Sequence, residues 1–273
     1  MAEKRGRKTG YAEVAGARFY YELAGEGTTL VLVHAGITDG RMWDEQFNAF
    51  AEHYRVLRYD RRGFGRTETG TGHFSHHQDL YELLKFLSVE EAYLVGCSQV
   101  GKTILNLALE HAPMVRALVL VASAVGGFTF AGEPPLQLAE LEEAEARGDV
   151  ARVNELELQI WVDGPRRTPS EVDARLRERV REMNLIALSA TSDSSREKEL
   201  EPAAARRLDE IRVPTLVIVG DLDTPKTLAA ADLLVEKIDG AQKVLIRGTA
   251  HLPNMERPGE FNRRVLEFLK SLD

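Results

Sequence analysis

The segment 92–111 constrains the fold of this chain most strongly, because a short apolar run, a glycine-bounded turn and an amphipathic stretch follow one another without a gap. The apolar run ends at Val95, and the turn reads Gly96-Cys97-Ser98-Gln99-Val100-Gly101. Beyond the turn, apolar residues recur at the spacing of a helix face, at Ile104, Leu105, Ala108 and Leu109. The segment therefore predicts a strand, a tight turn and a helix in immediate succession.

Two catalytic motifs fit this turn. One is G-x-S-x-G, which places a serine nucleophile on a sharp strand-to-helix turn; Gly96 and Ser98 match it, but Val100 replaces its last glycine. The other is the phosphate-binding loop G-x-x-x-x-G-K-S/T, whose fixed positions are matched by Gly96 and by Gly101-Lys102-Thr103. Both motifs require a strand, a turn and a helix, so the choice between them depends on the rest of the chain.

Charge and composition exclude several classes of partner. The net charge of −8 argues against binding to nucleic acid or to an anionic membrane surface. No apolar run approaches the roughly 20 residues of a membrane-spanning helix, and residues 1–10 are basic but lack the apolar region of a secretory signal. Cys97 is the only cysteine of the sequence, which rules out an internal disulfide and favours a reducing, cytoplasmic compartment.

Apolar, strand-like runs alternate with helical stretches on both sides of the turn. Strands are predicted at 29–34, 55–59, 117–122, 215–220 and 243–246, and helices at 76–87, 226–238 and 258–269. A strand pair is predicted ahead of them, at 11–14 and 17–23. This alternation is typical of an α/β fold with a mainly parallel sheet and helices on both faces.

The interval 125–211 interrupts the alternation. It contains no strand-like run but three helical stretches, near 135–147, 150–161 and 170–190. The apolar residues of these stretches need a surface to bury against, so the interval is interpreted as a helical insertion between core segments 1–124 and 212–273. Residues 191–201 are polar and are predicted to form a mobile connection.

Separate segments of the chain resemble the α/β-hydrolases of the esterase and lactonase type, in the chain order of that family. They read LVHAGITDGRMW, YDRRGFGRT, VGCSQVG, VGDLDTP and GTAHLPNMERP. The resemblance covers nearly the whole chain and implies an α/β-hydrolase fold, a doubly wound sheet with the insertion as a helical cap. A phosphate-loop NTPase would also need an aspartate that closes an apolar strand and holds magnesium, and the strand ending at Ala122 has none.

The resemblance implies a catalytic triad. Ser98 is the expected nucleophile, although a serine at this position alone is also an ordinary helix N-cap. A serine hydroxyl needs a neighbouring base, and His251, just past the last predicted strand, is the expected one. Asp223, three residues after Gly220, is the expected acid that orients the histidine, with Asp221 as its rival.

The resemblance also implies an oxyanion hole made by the backbone amides of Gln99 and Gly36. Ala35 stands where the family more commonly has glycine. An apolar substrate pocket is suggested by five side chains that could equally be packing residues, namely Met42, Trp43, Phe128, Trp161 and Met183. Val100 is expected to crowd the turn and slow catalysis, since overpacking a tight site costs about 1–3 kcal/mol.

The function expected from these residues is a serine hydrolase that cleaves carboxylic esters of small to medium acyl groups through an acyl-enzyme on Ser98. A lactonase or a carbon–carbon bond hydrolase with the same triad remains an alternative, as does a non-catalytic ligand receptor. No cofactor or metal is implied, because no histidine and carboxylate cluster has the spacing of metal ligands. The expected partner is a small ester or lactone, and the oligomeric state stays open.

Overall fold

One mixed β-sheet runs through the part of the chain that the computed structural model describes, residues 6–190 and 196–272. Its strands are β1 (Lys8–Val14), β2 (Ala17–Ala24), β3 (Thr29–Val33), β4 (Arg55–Tyr59), β5 (Ala92–Cys97), β6 (Val115–Val121), β7 (Thr215–Gly220) and β8 (Gln242–Ile246). Across the sheet they follow the order β1-β2-β4-β3-β5-β6-β7-β8. β2 pairs antiparallel with β1 and β4, and the neighbours from β4 to β8 are parallel.

Helices cover both faces of the sheet. They are α1 (Asp44–Phe50), α2 (His76–Phe86), α3 (Gln99–Glu110), α4 (Leu138–Ala146), α5 (Val150–Glu157), α6 (Ala174–Ser189), α7 (Pro225–Lys237), α8 (Pro253–Glu256) and α9 (Pro258–Lys270). Side chains of α2, α3 and α7 form the core on one face, and side chains of α1 and α9 contribute to the core on the other. Among the described helices, none has the length and apolar character needed to cross a bilayer.

The central strands are buried on both faces, which explains their continuous apolar sequences. Every residue of β3, β5 and β7 is buried. Val33 pairs with Gly96 and Gly220 pairs with Ile246, so neighbouring strands end at similar heights. Because parallel strands share one direction, the residues that follow β3, β5, β7 and β8 meet at the same edge of the sheet.

The chain between β6 and β7 contains α4, α5 and α6, close to the three helical stretches predicted there. α5 continues directly into a π-helix over Leu158–Asp163, which the sequence pattern does not reveal. The division into core segments 1–124 and 212–273 and an insertion 125–211 stays a prediction. Residues 191–195 of the predicted connection, like residues 1–5 of the basic start, lie outside the described residues.

Candidate active site

Ser98 lies at the turn between β5 and α3 in a strained backbone conformation. Its φ is 64° and its ψ is −131°, in the region that favours glycine. The turn is held from both sides, because the Ser98 N–H donates to the Val121 carbonyl at 2.8 Å and the Ala124 N–H donates to the Ser98 carbonyl at 2.9 Å. Such strain persists only where the surroundings fix it, and it is common at functional sites.

The tightest packing at this turn falls on Gly101. A Cβ on Gly101 would lie 1.6 Å from Ser123 Oγ, so only glycine lets α3 approach the end of β6. Val100 is fully buried in the core, and its side chain lies over Gly96, where an added Cβ would be 3.3 Å from Val100 Cγ1. The closest approaches at this turn are therefore those of Gly101 to Ser123 and of Gly96 to Ile104 and Val100. Slower catalysis because of Val100 stays a prediction.

His251 connects Ser98 with Asp223. His251 Nε2 is 2.7 Å from Ser98 Oγ, and His251 Nδ1 is 2.9 Å from Asp223 Oδ2. Both His251 and Asp223 are buried. The carboxylate fixes the ring tautomer, because Nδ1 must carry the proton that it donates to Asp223. Nε2 is then left as an acceptor for the Ser98 hydroxyl, and the arrangement can remove a proton from that hydroxyl.

The two rival carboxylates have different partners. Asp221 Oδ1 accepts a hydrogen bond from the Gly248 N–H at 2.6 Å and so stabilises the turn after β8. Asp223 contacts His251 and also accepts the Thr224 N–H at 2.6 Å. The geometry thus brings Asp223, and not Asp221, to the imidazole.

The loops after β3 and β5 meet beside Ser98. Gln99 is the first residue of α3, and the first amides of a helix have no acceptor within the helix. Gly36 approaches Gln99 so closely that a Cβ on Gly36 would lie 3.2 Å from Gln99 Oε1. The two residues expected to form the oxyanion hole are therefore neighbours, and their donation to a reacting carbonyl stays a prediction.

A buried hydrogen-bond network supports the Gly36 loop. His34 Nε2 accepts the Arg61 N–H at 2.9 Å, while His34 Nδ1 donates to the Ala35 carbonyl at 2.8 Å. Burial, reinforced by the positive charge of Arg61, lowers the pKa of His34 to about 3. Asp60 accepts the amides of Gly40 and Arg66, and burial raises its pKa to about 6. Through these contacts the segment YDRRGFGRT holds the chain after β3 in place.

A cavity of about 160 Å³ opens onto Ser98 and His251. Two of the five side chains assigned to a pocket from the sequence, Phe128 and Trp161, line it, and the Trp161 ring lies 4.6 Å from the His251 ring between centroids. The remaining three, Met42, Trp43 and Met183, are buried in the core on the α1 and α9 side of the sheet and do not line this cavity. Their apolar character serves packing in this structure.

Sequence reasoning missed one wall of the cavity. The start of α7 contributes Thr224, Lys226 and Thr227, and the loop after β6 contributes Ser123. The available signal was position alone, because the residues directly after Asp223 must lie at the same edge of the sheet as His251.

The helical segment between β6 and β7 is tied to the loop that carries His251. Arg167 donates to Glu256 at 2.6 Å, and Glu256 accepts the Ala250 N–H at 2.7 Å. The π-helix ends at Gly164, where a Cβ would lie 2.7 Å from the Leu222 carbonyl oxygen and 3.0 Å from Ala250 Cβ. Trp161 is thereby held over His251 by contacts on both neighbouring loops.

The residues that suggested a phosphate-binding loop have other partners. Lys102 Nζ lies 3.3 Å from Glu197 Oε1 and 2.5 Å from Glu199 Oε1, so two carboxylates neutralise the side chain that would contact a phosphate. Thr103 is buried. Within residues 6–190 and 196–272, no group of His, Cys, Asp or Glu side chains is arranged to hold a metal ion.

Comparison with known proteins agrees with this architecture. Residues 28–258 match the family model described as the alpha/beta hydrolase fold. The chain is 27% identical over 238 residues to 3-oxoadipate enol-lactonase 1 of Acinetobacter baylyi, covering 86% of each chain. It is 28% identical over 263 residues to 2-hydroxy-6-oxononadienedioate/2-hydroxy-6-oxononatrienedioate hydrolase of Burkholderia vietnamiensis, covering 93% of this chain and 91% of the relative.

A solved structure extends the likeness to the fold. The enol-lactonase from Burkholderia xenovorans LB400 superposes with a TM-score of 0.77 at 27% identity, covering 96% of this chain and 100% of that one. The sheet order, the strand-to-helix turn at Ser98 and the match over residues 28–258 lead to one conclusion. The chain belongs to the α/β-hydrolase family and is a hydrolase by family.

Proposed function

We propose that this protein hydrolyses carboxylic esters, including lactones, through an acyl-enzyme formed on Ser98. The observation that carries the proposal is the unbroken series of contacts from Ser98 Oγ to His251 Nε2, at 2.7 Å, and from His251 Nδ1 to Asp223 Oδ2, at 2.9 Å. A serine acts as a nucleophile when a base takes its proton. Asp223 orients the imidazole and stabilises the imidazolium that forms.

Acylation begins when Ser98 Oγ attacks the substrate carbonyl carbon and its proton passes to His251 Nε2. The carbonyl oxygen becomes an oxyanion that accepts hydrogen bonds from the amides of Gln99 and Gly36. When the tetrahedral intermediate collapses, the bond to the alcohol oxygen breaks and the imidazolium gives that oxygen its proton. The acyl group is then bound to Ser98 as an ester.

Deacylation repeats these steps with water. His251 takes a proton from the water, the resulting hydroxide adds to the acyl carbon, and the carboxylic acid leaves as Ser98 regains its proton. With a lactone, the alcohol stays attached to the acyl group, so the product is a single hydroxy acid. The reaction needs only these side chains and water, and the proposal includes no cofactor.

The size of the cavity indicates a small substrate. Its volume is about 160 Å³, and a cavity of roughly 150 Å³ holds one benzene molecule. The group that enters beside Ser98 therefore has about six non-hydrogen atoms. The segment 125–211 acts as a cap in this proposal, since Trp161 covers His251 and Phe128 lines the same cavity.

Carbon–carbon bond hydrolysis is the second candidate. It is supported by the 28% identity to the hydrolase of 2-hydroxy-6-oxononadienedioate, which covers 93% of this chain. The 27% identical enol-lactonases support the ester and lactone reaction instead. Because both kinds of hydrolase can use the same three side chains, the substrate panel must include both bond types.

A panel of p-nitrophenyl esters from acetate to laurate, with γ- and δ-lactones and a vinylogous 1,5-diketone, tests this proposal. We expect the highest kcat/KM for acyl groups of about two to six carbons, as the cavity volume implies. A fluorophosphonate probe should label Ser98. Ser98→Ala should lose both labelling and turnover, whereas the control Ser170→Ala, an exposed serine, should keep both.

Two outcomes contradict the proposal. Undiminished ester turnover in a folded Ser98→Ala variant would remove Ser98 from the mechanism. Rapid cleavage of the diketone with no turnover of any ester or lactone would favour the second candidate. Circular dichroism and thermal unfolding of each variant establish that a lost activity does not come from a lost fold.

A further inference from the structure

The start of α7 forms a positively charged wall of the cavity that contains Ser98. Thr224, Lys226 and Thr227 line this wall, and Phe128 and Trp161 provide the apolar side. Among the described residues that line the cavity, Lys226 and His251 are the ionisable ones, and none carries a carboxylate. A substrate group in this cavity therefore meets one cation and a pair of hydroxyls within an otherwise apolar surface.

Lys226 is exposed at the rim of the cavity and forms no ion pair or side-chain hydrogen bond with another described residue. In this respect it differs from Lys237 at the other end of the same helix, which pairs with Glu236 at 2.9 Å. It also lies in the first turn of α7, which contains no acidic residue. A cation at a helix N-terminus is unfavourable by roughly 0.3–1 kcal/mol, because the helix dipole is positive there. Lys226 therefore does not add to the stability of α7, and its ammonium is free to contact a substrate at the cavity.

The backbone of the same turn adds to the positive character. Pro225 has no N–H, and the Thr227 N–H donates to the Thr224 hydroxyl. The Lys226 amide is then the first-turn donor for which the described residues supply no acceptor. A helix N-terminus with an open amide and an adjacent ammonium favours a negatively charged group.

We propose that Lys226 and the first turn of α7 bind a carboxylate carried by the substrate. The inference rests on the proposed function and narrows its substrate class to esters or lactones that bear a second, free carboxylate. Given a cavity of about 160 Å³, this carboxylate is separated from the reacting carbonyl by a short chain or one small ring. Lys226 then determines specificity, and it does not take part in the bond-breaking steps.

Monomethyl glutarate and methyl butyrate provide a matched pair of substrates, since the reacting methyl ester is the same and only one bears a carboxylate. We expect wild-type kcat/KM to favour monomethyl glutarate. In Lys226→Met, which keeps the length of the side chain, this preference should fall roughly tenfold, mainly through KM, because a charge-assisted hydrogen bond is lost. Lys226→Arg should retain most of the preference, and Lys226→Glu should reverse it.

Lys237→Met is the control, because it removes a cation from the other end of the same helix, and Lys237 does not line the cavity. It should leave the preference as in the wild type. Monomethyl succinate and monomethyl adipate show how far the carboxylate can lie from the reacting ester. Raising the salt concentration to 0.5 M should weaken the wild-type preference and leave that of Lys226→Met unchanged.

The outcomes separate the two proposals. If the wild type hydrolyses methyl butyrate but Lys226→Met shows the wild-type preference, the inference is wrong and the proposed function stands. If the wild type prefers methyl butyrate, the inference is likewise wrong. If no ester or lactone of either charge is hydrolysed, the proposed function fails, and the inference that rests on it fails too.

Discussion

Two buried histidines of this fold have similar positions and opposite chemistry. His251 follows β8 and His34 follows β3, so both lie at the same edge of the sheet, and their exposed fractions are 3% and 0%. His251 Nε2 faces a hydroxyl whose proton can be removed, and a carboxylate contacts its other nitrogen. His34 Nε2 accepts a backbone N–H, and a guanidinium lies nearby.

The partners explain the difference. The backbone N–H of Arg61 occupies the only lone pair of His34, and burial with the charge of Arg61 lowers its pKa to about 3. His34 therefore remains neutral and connects two loops. His251 gains a carboxylate partner, which stabilises the charged form during a reaction. Burial alone does not make a histidine a base. The group that contacts each ring nitrogen determines whether the imidazole can take a proton.

Replacing each histidine by glutamine should produce the largest contrast. His251→Gln should lower kcat for p-nitrophenyl acetate by roughly 10⁴- to 10⁶-fold, as expected for loss of a general base that acts with the nucleophile. His34→Gln should lower kcat by about tenfold or less, because the amide oxygen can still accept the Arg61 N–H and keep the Gly36 loop in place. Equal losses in the two variants would contradict the separate roles of His251 as a base and of His34 as a connection between loops.

The carboxylate that contacts His251 should have the next largest effect. Asp223→Asn should lower kcat by about 10³- to 10⁴-fold, because the amide disfavours the required tautomer and no longer stabilises the imidazolium. Asp221→Asn is the matched control, since Asp221 bonds the Gly248 N–H and does not contact the imidazole. Its kcat should stay near the wild-type value. The reverse ranking would assign the orienting role to Asp221.

The low pKa of His34 predicts an effect on the free energy of unfolding that is smaller than the effects on kcat above. Between about pH 6.5 and pH 3 the unfolded chain binds a proton at His34 that the folded protein does not, so the free energy of unfolding falls as the pH falls through this window. His34→Gln lacks this contribution. The free energy of unfolding of the wild type minus that of the variant should therefore drop by about 2 kcal/mol from pH 7 to pH 5.

Urea unfolding of both proteins at each pH measures this difference. The raised pKa of Asp60 acts in the opposite direction, because a carboxyl that is more basic when folded favours the folded state at low pH. Since Asp60 is present in both proteins, its contribution cancels in the difference. Parallel stability curves for the two proteins would show that His34 keeps an ordinary pKa in the fold.

The sequence predicts correctly those parts of the structure that neighbouring residues determine. The turn at Ser98 follows from neighbouring residues, and the alternation of buried strands and amphipathic helices predicts the family fold that is observed. The sequence pattern favours Asp223 as the partner of His251 and keeps Asp221, two residues earlier, as its rival. Which of them faces the imidazole depends on the paths of two loops, the one after β7 that carries both aspartates and the one after β8 that carries His251, and no local pattern contains those paths.

The pocket shows the same limit. Met42 and Trp43 have the apolar character of pocket residues but pack in the core, whereas Phe128 and Trp161 line the cavity. The hydrophobicity of a side chain predicts that it is buried, but it does not predict which surface it packs against. No sequence pattern marks Lys226 as a pocket residue, because a lone lysine on a helix is usually a solvated surface residue.

The π-helix at Leu158–Asp163 links the position of Trp161 over His251 to the number of residues in this segment. A π-helical turn contains one residue more than an α-helical turn, and each residue of an α-helix turns by about 100°. Deletion of one residue here would let α5 continue as an α-helix and rotate Trp161 away from His251, while the tight packing at Gly164 resists a compensating shift. A single-codon deletion beside the site is therefore expected to reshape the cavity of this protein without any substitution of the residues that line it.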